Sequence, residues 1–386
     1  MKAIIQRFFI LFFYAGCVIQ IQADFVPASL AWSKKLNGAI SGISLSRDEK
    51  VILVATSVDK EIDGRSRYPL LSRFNTRGTR LWQISLKSPV RDLDLDEKGN
   101  MIVISNYQNE LIAFNAQGKK RWSVDVTCRP FVVDHSKSIF CYHDDDAQPQ
   151  VAFDVFDWNG KKKVSFPIES DALGFKLSKD QKNVILFLAD NRIILIDSKG
   201  QKTLENTIDG DVIDVSVSSG NQPRLAILSK DKNKKQKVLV FDSQFKSLGS
   251  FPLQNPGYQI EFSSSNEFVF YSSNTQLGQE WGGFSVPSSD GGVSWKASSK
   301  IPSEYSYPLL VTFDTVLMGR EGLDLEESAH ILAYGHSGVL KWDLDLKLNA
   351  GDCIQLYKVS GSASFLVAGT EYANINFYRV LNKINQ

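Results

Sequence analysis

The sequence predicts an all-β fold, an eight-bladed β-propeller of four-stranded antiparallel blades, with the ring closed by the N-terminal strand pairing in the last blade. Two independent repeats share one period along the chain, which is typical of a repeated structural unit. The composition of 24 Phe, 12 Tyr and 7 Trp against 3 Met agrees, because aromatic side chains pack well on pleated sheets. A chain of 386 residues is also too long for one two-layer core.

The first repeat is a strand, a turn containing glycine, and a tryptophan four residues after that glycine. Glycine supplies the left-handed backbone of a tight hairpin turn, and tryptophan starts the next strand with a large apolar surface. Clear copies pair Gly78 with Trp82, Gly118 with Trp122, and Gly338 with Trp342. Eroded copies contain Gly160, Gly200, Gly249, and Gly291 with Trp295, and Trp32 opens the series without a preceding strand.

The second repeat is a hairpin in which an alternating strand ends at Ser or Asp before a strongly apolar strand. Ser and Asp open turns because their side chains hydrogen-bond to the backbone two residues on. Eight such residues, spaced by 38 to 51 positions, interleave with eight positions of the first repeat, which describes eight four-stranded sheets. They are Ser46, Asp96, Asp134, Ser178, Ser218, Ser263, Asp314 and Ser360.

The two ends of the chain complement each other. The last copy, residues 354–380, contains three strands and lacks an outermost one, whereas the segment around Trp32 is an outermost strand without a sheet. Pairing the two would close the ring and remove two exposed edges. We therefore expect one propeller domain over residues 24–386.

The N-terminus has the organisation of a signal peptide. Lys2 and Arg7 precede an apolar run over residues 8–19, and the small residue Ala23 marks a cleavage site. This pattern predicts a signal peptide over residues 1–23 and a periplasmic or secreted mature chain. Twelve apolar residues are fewer than the ~20 that a membrane-spanning helix needs, so no membrane span is expected.

Three cysteines leave alternatives open. Ala15-Gly16-Cys17 resembles a bacterial lipobox, with Tyr14 where that motif has Leu, so an outer-membrane lipoprotein anchored at Cys17 is the alternative to cleavage after Ala23. Cys128 and Cys141 fall on the two arms of one predicted hairpin. An oxidising compartment permits a disulfide between them, and the alternative is two buried thiols.

The glycine and tryptophan pattern resembles the PQQ-like propeller repeat, over nearly all of the mature chain. Proteins with this repeat include quinone-dependent alcohol dehydrogenases and the non-catalytic periplasmic lipoprotein of outer-membrane β-barrel assembly. Residues 288–295 are similar to the Asp-box of sialidases and of many non-enzymatic propellers, through Asp290 and Trp295. In those families the Asp-box turn is structural and lies away from the catalytic face, so we expect a structural role for it here.

The sequence contains no motif of a known catalytic centre. It has no adjacent cysteines as in quinone dehydrogenases, no Arg-Ile-Pro as in sialidases, and no nucleophile elbow, zincin motif or phosphate loop. The histidines are expected in turns and loops, and Asp92, Asp94 and Asp96 on one polar side of a strand. We therefore expect no catalytic, cofactor-binding or metal-binding residue. A degenerate or divergent PQQ-dependent dehydrogenase or a sialidase-like enzyme is the alternative.

The expected binding surface is the face that carries the second-to-third loops and the fourth-to-first connections of the blades, because long loops serve recognition more often than scaffolding. Aromatic anchors inside a charged rim are typical of protein interfaces, and the alternative is that the charged runs are solvated hairpin tips. Long loops are predicted over residues 58–68, 143–150, 230–237, 274–283 and 320–328. The predicted partner-binding residues are Asp144, Asp145, Asp146, Lys234, Lys235, Trp281 and Tyr305.

The charges of the chain nearly cancel, with 44 basic and 43 acidic residues and a formal net charge of +1. A broad positive field of the kind that attracts nucleic acid is therefore not expected. Together these features predict a non-catalytic, protein-binding scaffold in the bacterial cell envelope.

Overall fold

The computed structural model describes most of the region from residue 28 to residue 380, and every regular element in it is a β-strand. No described sheet closes on itself. None of the described segments is a helix with the length and hydropathy that crossing a bilayer requires. The described residues are 13–14, 17–18, 28–57, 68–133, 136–143, 151–167, 170, 172–263, 268–275, 278–285, 293–299, 310–311, 315–320, 330–335, 340–345, 354–359, 365–370 and 374–380.

The described strands form eight four-stranded antiparallel sheets, and Phe13–Tyr14 and Cys17–Val18 form a separate two-stranded sheet. Each of sheets 1 to 7 uses four consecutive strands, so that hairpins join all neighbours. Sheets 1 to 4 are Ile40–Leu45, Val51–Thr56, Leu70–Asn75, Arg80–Ser85; Val90–Leu95, Met101–Asn106, Glu110–Asn115, Lys120–Asp125; Arg129–Val133, Ser138–Tyr142, Val151–Asp157, Lys162–Pro167; and Ala172–Leu177, Asn183–Leu188, Arg192–Asp197, Lys202–Thr207. Sheets 5 to 7 are Asp211–Val217, Leu225–Lys230, Gln236–Phe241, Ser247–Pro252; Gly257–Phe262, Phe268–Thr275, Gly278–Ser285, Val293–Ser299; and Leu310–Val311, Thr315–Arg320, His330–Gly335, Leu340–Asp345.

Sheet 8 is built from both ends of the described chain. Its first three strands are Ile354–Val359, Phe365–Thr370 and Asn374–Val380, and its fourth is Ala28–Lys35, which pairs antiparallel with Asn374–Val380. The aromatic rings of Trp32 and Phe377 stack with their centroids 5.3 Å apart. A strand from the N-terminal side of the chain thus supplies the outer edge of this sheet.

The core lies between the sheets, which pack face to face. The second strand of sheet 1, Val51–Thr56, is buried along its whole length, whereas the fourth, Arg80–Ser85, is largely exposed. The apolar cluster between sheets 1 and 2 combines Leu53 with Leu95 and Ile104. A strand that is covered on both faces reads as a continuous apolar run, which is why the second strands show no alternation in the sequence.

The tryptophan of the repeat contacts the turn of the neighbouring sheet. Three indoles donate their Nε1–H to a carbonyl oxygen in the turn between the third and fourth strands of the next sheet: Trp32 to Thr76 at 3.0 Å, Trp82 to Ala116 at 2.7 Å, and Trp122 to Trp158 at 2.9 Å. Each ring also lies against the glycine of that turn, which has a positive φ: Gly78, Gly118 and Gly160. These contacts join sheet 8 to sheet 1, sheet 1 to sheet 2, and sheet 2 to sheet 3.

The corresponding turn of sheet 5 uses phenylalanine in place of glycine. Phe245 adopts a φ of 64° and stacks on Phe241, with ring centroids 4.2 Å apart. The Oδ1 atom of Asp242 accepts hydrogen bonds from the backbone N–H groups of Gln244 and Lys246 at 2.9 Å each. Phe245 is thus the turn residue of this copy of the repeat, and the glycine assigned to it from the sequence lies in the strand Ser247–Pro252.

The remaining repeat residues are described only in part. Trp295 and Trp342 lie in the strands Val293–Ser299 and Leu340–Asp345. Asp290 and Gly338 fall outside the described residues. Cys17 lies in the short strand Cys17–Val18.

Candidate functional site

The second-to-third turns and the fourth-to-first connections lie on one face of the molecule, which we call the long-loop face. Backbone hydrogen bonds join the two types of connection within a sheet. The first N–H group after the fourth strand donates to a carbonyl oxygen at the start of the third strand or just before it: Leu86 to Pro69 at 2.7 Å, Val126 to Asn109 at 2.7 Å, Ile208 to Asn191 at 3.0 Å, and Leu253 to Gln236 at 3.0 Å. Sheets 1, 2, 4 and 5 share this arrangement, which gives the face a regular backbone frame.

Two exposed tyrosines on the long-loop face flank one connection between sheets 1 and 2. Tyr68 is 61% exposed and Tyr107 is 68% exposed. The connection 86–89 runs between them, because its first N–H bonds to the carbonyl of Pro69 at 2.7 Å and the carbonyl of Pro89 accepts the N–H of Tyr107 at 3.2 Å. Exposed aromatic side chains that are held by a hydrogen-bonded backbone lose little conformational entropy on binding.

A third apolar side chain, Leu173, projects from the same face in sheet 4. It lies in a β-bulge between Ala172 and Gly174, where the register shifts, and it is 54% exposed. A bulge turns its extra residue away from the regular pattern of the strand. Three of the five exposed large apolar residues in the described part of the chain are therefore on the long-loop face, and the other two, Leu30 and Leu81, lie on fourth strands.

The lysine-rich loop of sheet 5 is a compact turn on this face. The Oδ1 atom of Asp231 accepts hydrogen bonds from the backbone N–H groups of Asn233 at 2.8 Å and Lys235 at 2.9 Å. Lys234 completes the turn in the left-handed conformation with a φ of 63°. The side chains of Lys232, Lys234 and Lys235 are consequently all exposed.

Of the other predicted partner-binding residues, the structure describes only Trp281. Asp144, Asp145, Asp146 and Tyr305 fall outside the described residues. Trp281 lies within the strand Gly278–Ser285, opposite Ser272 on one side and Ala297 on the other. The long loop expected over residues 274–283 is wrong, because the strands Phe268–Thr275 and Gly278–Ser285 leave only two residues between them.

Sheet 3 contains a buried polar cluster that the sequence analysis missed. His143 follows the second strand as expected, but its side chain is only 2% exposed. Its Nδ1 lies 2.9 Å from the carbonyl oxygen of Thr127, and its Nε2 lies 3.3 Å from Oδ2 of Asp154. Asp154 also pairs with Lys162 Nζ at 2.9 Å and accepts the hydroxyl of Ser165 at 2.5 Å.

This cluster lowers the pKa of one carboxyl group. Burial raises the pKa of Asp154, but hydrogen bonds from His143, Ser165 and Lys162 outweigh burial and bring the pKa to about 2. The carboxylate therefore holds together three elements of sheet 3. Next to it, the sulfur atoms of Cys128 and Cys141 are bonded, with their Cα atoms 5.2 Å apart.

A second group of charges links the first strands of sheets 4, 5 and 6. Lys176 Nζ lies 3.0 Å from Asp214 Oδ2 and 3.6 Å from Glu261 Oε2, and Asp214 accepts the backbone N–H of Ile260 at 2.8 Å. Burial lowers the pKa of Lys176, but the two carboxylates outweigh it and raise the pKa above its usual value. These contacts join neighbouring sheets by polar groups of their first strands.

The aspartates in the first strand of sheet 2 have a similar role. Asp94 accepts the hydroxyl of Ser44 at 3.4 Å and the backbone N–H of Val132 at 2.8 Å, and so bridges sheets 1, 2 and 3. Asp92 and Asp94 lie in the strand Val90–Leu95, as the alternation predicts. Within the described part of the chain, no three His, Cys, Asp or Glu side chains are grouped so as to hold a metal ion.

Comparisons with known proteins establish the fold. No protein-family model matches the chain, and no curated protein sequence matches it. Among solved structures it is similar to BamB from Moraxella catarrhalis, with 15% identity, a TM-score of 0.57, and coverage of 93% of this chain and 99% of that chain. It is also similar to the Dos1 propeller, with 12% identity, a TM-score of 0.62, and coverage of 93% and 96%. The chain is a β-propeller.

Proposed function

We propose that this protein is an exported, non-catalytic scaffold of the bacterial cell envelope that binds a protein partner on its long-loop face. In this proposal residues 1–23 are a signal peptide, and the eight four-stranded sheets are the blades of one ring that the strand Ala28–Lys35 closes. The PQQ-like character of the repeat and the fold shared with BamB support a scaffold in the envelope.

The observation that carries the proposal is the placement of Tyr68 and Tyr107. Two exposed tyrosines flank a connection that backbone hydrogen bonds hold in place, and the exposed lysines of the turn 231–235 lie on the same face. Tyrosine is enriched in the central part of protein interfaces, whereas charged side chains at the rim steer the partner and select against wrong ones. A partner with an apolar patch and acidic surroundings fits this face.

The proposal is tested by site-specific photo-crosslinking in intact envelope. A photoreactive side chain at position 107 should give one dominant crosslinked protein, and the same side chain at position 81 should not. Leu81 is a matched control because it is exposed but lies on the fourth strand of sheet 1, away from the long-loop face.

The purified pair then provides the quantitative test. Tyr68→Ala together with Tyr107→Ala should weaken binding by about 100-fold, since each buried interface tyrosine contributes about 1 to 2 kcal/mol. Charge reversal at Lys234 and Lys235 should mainly slow association. Retention of full affinity by the tyrosine variant would reject this face. Quinone-dependent dehydrogenase activity with added calcium, or cleavage of a glycoside panel, would reject the non-catalytic assignment.

A further inference from the structure

The turns between the third and fourth strands carry a row of exposed basic side chains in sheets 1 to 4. Each of these residues lies within three positions of the turn glycine, in the turn or at the start of the fourth strand. We call this set the basic rim. It consists of Arg77, Arg80, Lys119, Lys120, Arg121, Lys161, Lys162, Lys163, Lys199 and Lys202, all of them exposed.

The basic rim is continuous across the sheets that carry it. The ring of Trp82 in sheet 1 covers Gly118 in the turn of sheet 2, and Trp122 in sheet 2 covers Gly160 in the turn of sheet 3. Val155 of sheet 3 likewise contacts Gly200 in the turn of sheet 4. Each of these three turns therefore rests on the preceding sheet, and the basic residues form one surface.

The charge of these four turns is strongly positive. The four turns, residues 75–80, 115–121, 157–163 and 197–202, contain ten basic and two acidic residues, a net charge of +8, whereas the whole chain carries +1. The two aspartates, Asp157 and Asp197, each accept two backbone N–H groups of their own turn. Among the described residues, ion pairs engage only Lys162 and Lys202 of the basic rim.

The N-terminal segment joins the propeller on the same side. Ala28 pairs with Val380, the last residue of the third strand of sheet 8, so the strand Ala28–Lys35 begins where fourth strands begin. Trp32 of this strand donates its indole N–H to Thr76 in the turn of sheet 1. The chain therefore enters the propeller at Ala28 on the face that carries the basic rim.

We propose that the basic rim rests on the surface of an anionic phospholipid bilayer, which leaves the long-loop face pointing away from the membrane. Lysine and arginine side chains near such a surface each raise the partition constant about fivefold. An extended row of charges on a regular set of turns fits a planar array of phosphate groups. This inference goes beyond the scaffold function and does not depend on it, because it concerns the opposite face.

The test is co-sedimentation of the full chain with vesicles that contain about 30 mol % phosphatidylglycerol in phosphatidylcholine, compared with pure phosphatidylcholine vesicles. We expect binding to the anionic vesicles at about 0.1 M salt and release at about 0.5 M, because added salt screens the charges. Lys119→Gln, Lys120→Gln and Lys163→Gln combined should lower the partition constant about 100-fold. Lys232→Gln, Lys234→Gln and Lys235→Gln combined are the matched control on the long-loop face, and should lower it less than about threefold.

Three results would overturn the proposal. The first is an equal loss of binding in the two triple variants, and the second is equal binding of the full chain to anionic and neutral vesicles. The third is binding of a single-stranded oligonucleotide as tightly as the anionic vesicles, together with loss of that binding in the basic-rim variant. This result would assign the surface to nucleic acid. Far-UV circular dichroism and melting temperature should be the same for all three chains, since the substituted lysines are exposed and make no ion pair among the described residues.

Discussion

Removal of the Trp82 indole should destabilise the propeller by breaking one contact between sheets 1 and 2. Trp82→Ala loses the hydrogen bond from Nε1 to the carbonyl oxygen of Ala116 at 2.7 Å, worth about 1 kcal/mol. It also uncovers the half-buried ring surface against Gly118, worth about 2 kcal/mol. We expect a loss of about 3 kcal/mol in the free energy of unfolding, measured by urea denaturation with far-UV circular dichroism.

A double-mutant cycle isolates the contact itself. Gly118→Ala should lose about 2 kcal/mol, because an alanine with a φ of 76° is strained and its Cβ would lie 3.1 Å from Cδ2 of Trp82. In the Trp82→Ala background the close contact between the new Cβ and the indole is absent, and only the backbone strain remains. The destabilisation of the double variant should therefore be about 1 kcal/mol smaller than the sum of the two single variants. Leu81→Ala, an exposed neighbour, should change stability by less than about 0.5 kcal/mol. Additive losses within about 0.5 kcal/mol would refute the docking of this indole on the turn.

Three further perturbations test other contacts. Because the pKa of Asp154 is about 2, below its ordinary 3.8, its carboxylate stabilises the fold above about pH 4 and loses this effect as the pH falls towards 2. The free energy of unfolding of the unmodified chain, measured by urea denaturation, should fall between pH 5 and pH 2. In Asp154→Asn this fall should be smaller by about 2 kcal/mol. Reduction of Cys128 and Cys141, which are 13 positions apart, should lower stability by about 3 kcal/mol, and mass spectrometry should find their peptides linked before reduction. Lys176→Met should lose about 3 kcal/mol in the same denaturation assay, because it leaves the carboxylate of Asp214 buried without its cation, and Lys199→Met on the surface should be neutral.

The four-stranded sheets could be predicted because their turns and strand starts are marked by local residue patterns. The glycine and tryptophan spacing predicts the turn and the start of the fourth strand at Gly78 and Trp82, and the structure has both. The contact of each tryptophan is not local. Trp82 binds a carbonyl 34 residues further on, in the turn of the next sheet, and only the packing of sheet against sheet brings the two together.

The error at Trp281 has a specific physical cause. Gly282 and Gly283 suggest a loop, because glycine weakens strands and favours turns. In the structure a Cβ at Gly282 would lie 2.5 Å from the ring of Tyr271, so this glycine makes room for an aromatic side chain inside a continuous strand. A single sequence does not distinguish a glycine that opens a turn from one that accommodates a neighbour.

The buried His143–Asp154 pair and the basic rim could not be predicted from the sequence, for the same reason. His143 and Asp154 are brought together by strand pairing across a loop, and the basic rim is assembled from four separate turns with two or three basic residues each. The total of +1 for the chain gives no sign of either arrangement. The positive surface becomes visible only when the sheets are placed side by side.

The most direct test of the proposed ring closure is a disulfide trap between the strands Ala28–Lys35 and Asn374–Val380. Ser29 and Arg379 are exposed partners in the pairing of Ala28–Lys35 with Asn374–Val380, so Ser29→Cys with Arg379→Cys should crosslink within one chain at low protein concentration, in a background where Cys17 and Cys353 are replaced by Ser. Cysteine at position 29, in sheet 8, and at position 246, in the turn before the fourth strand of sheet 5, is the matched control and should not crosslink. Crosslinks that form only between chains, or fail to form, would contradict closure of the propeller by its first strand.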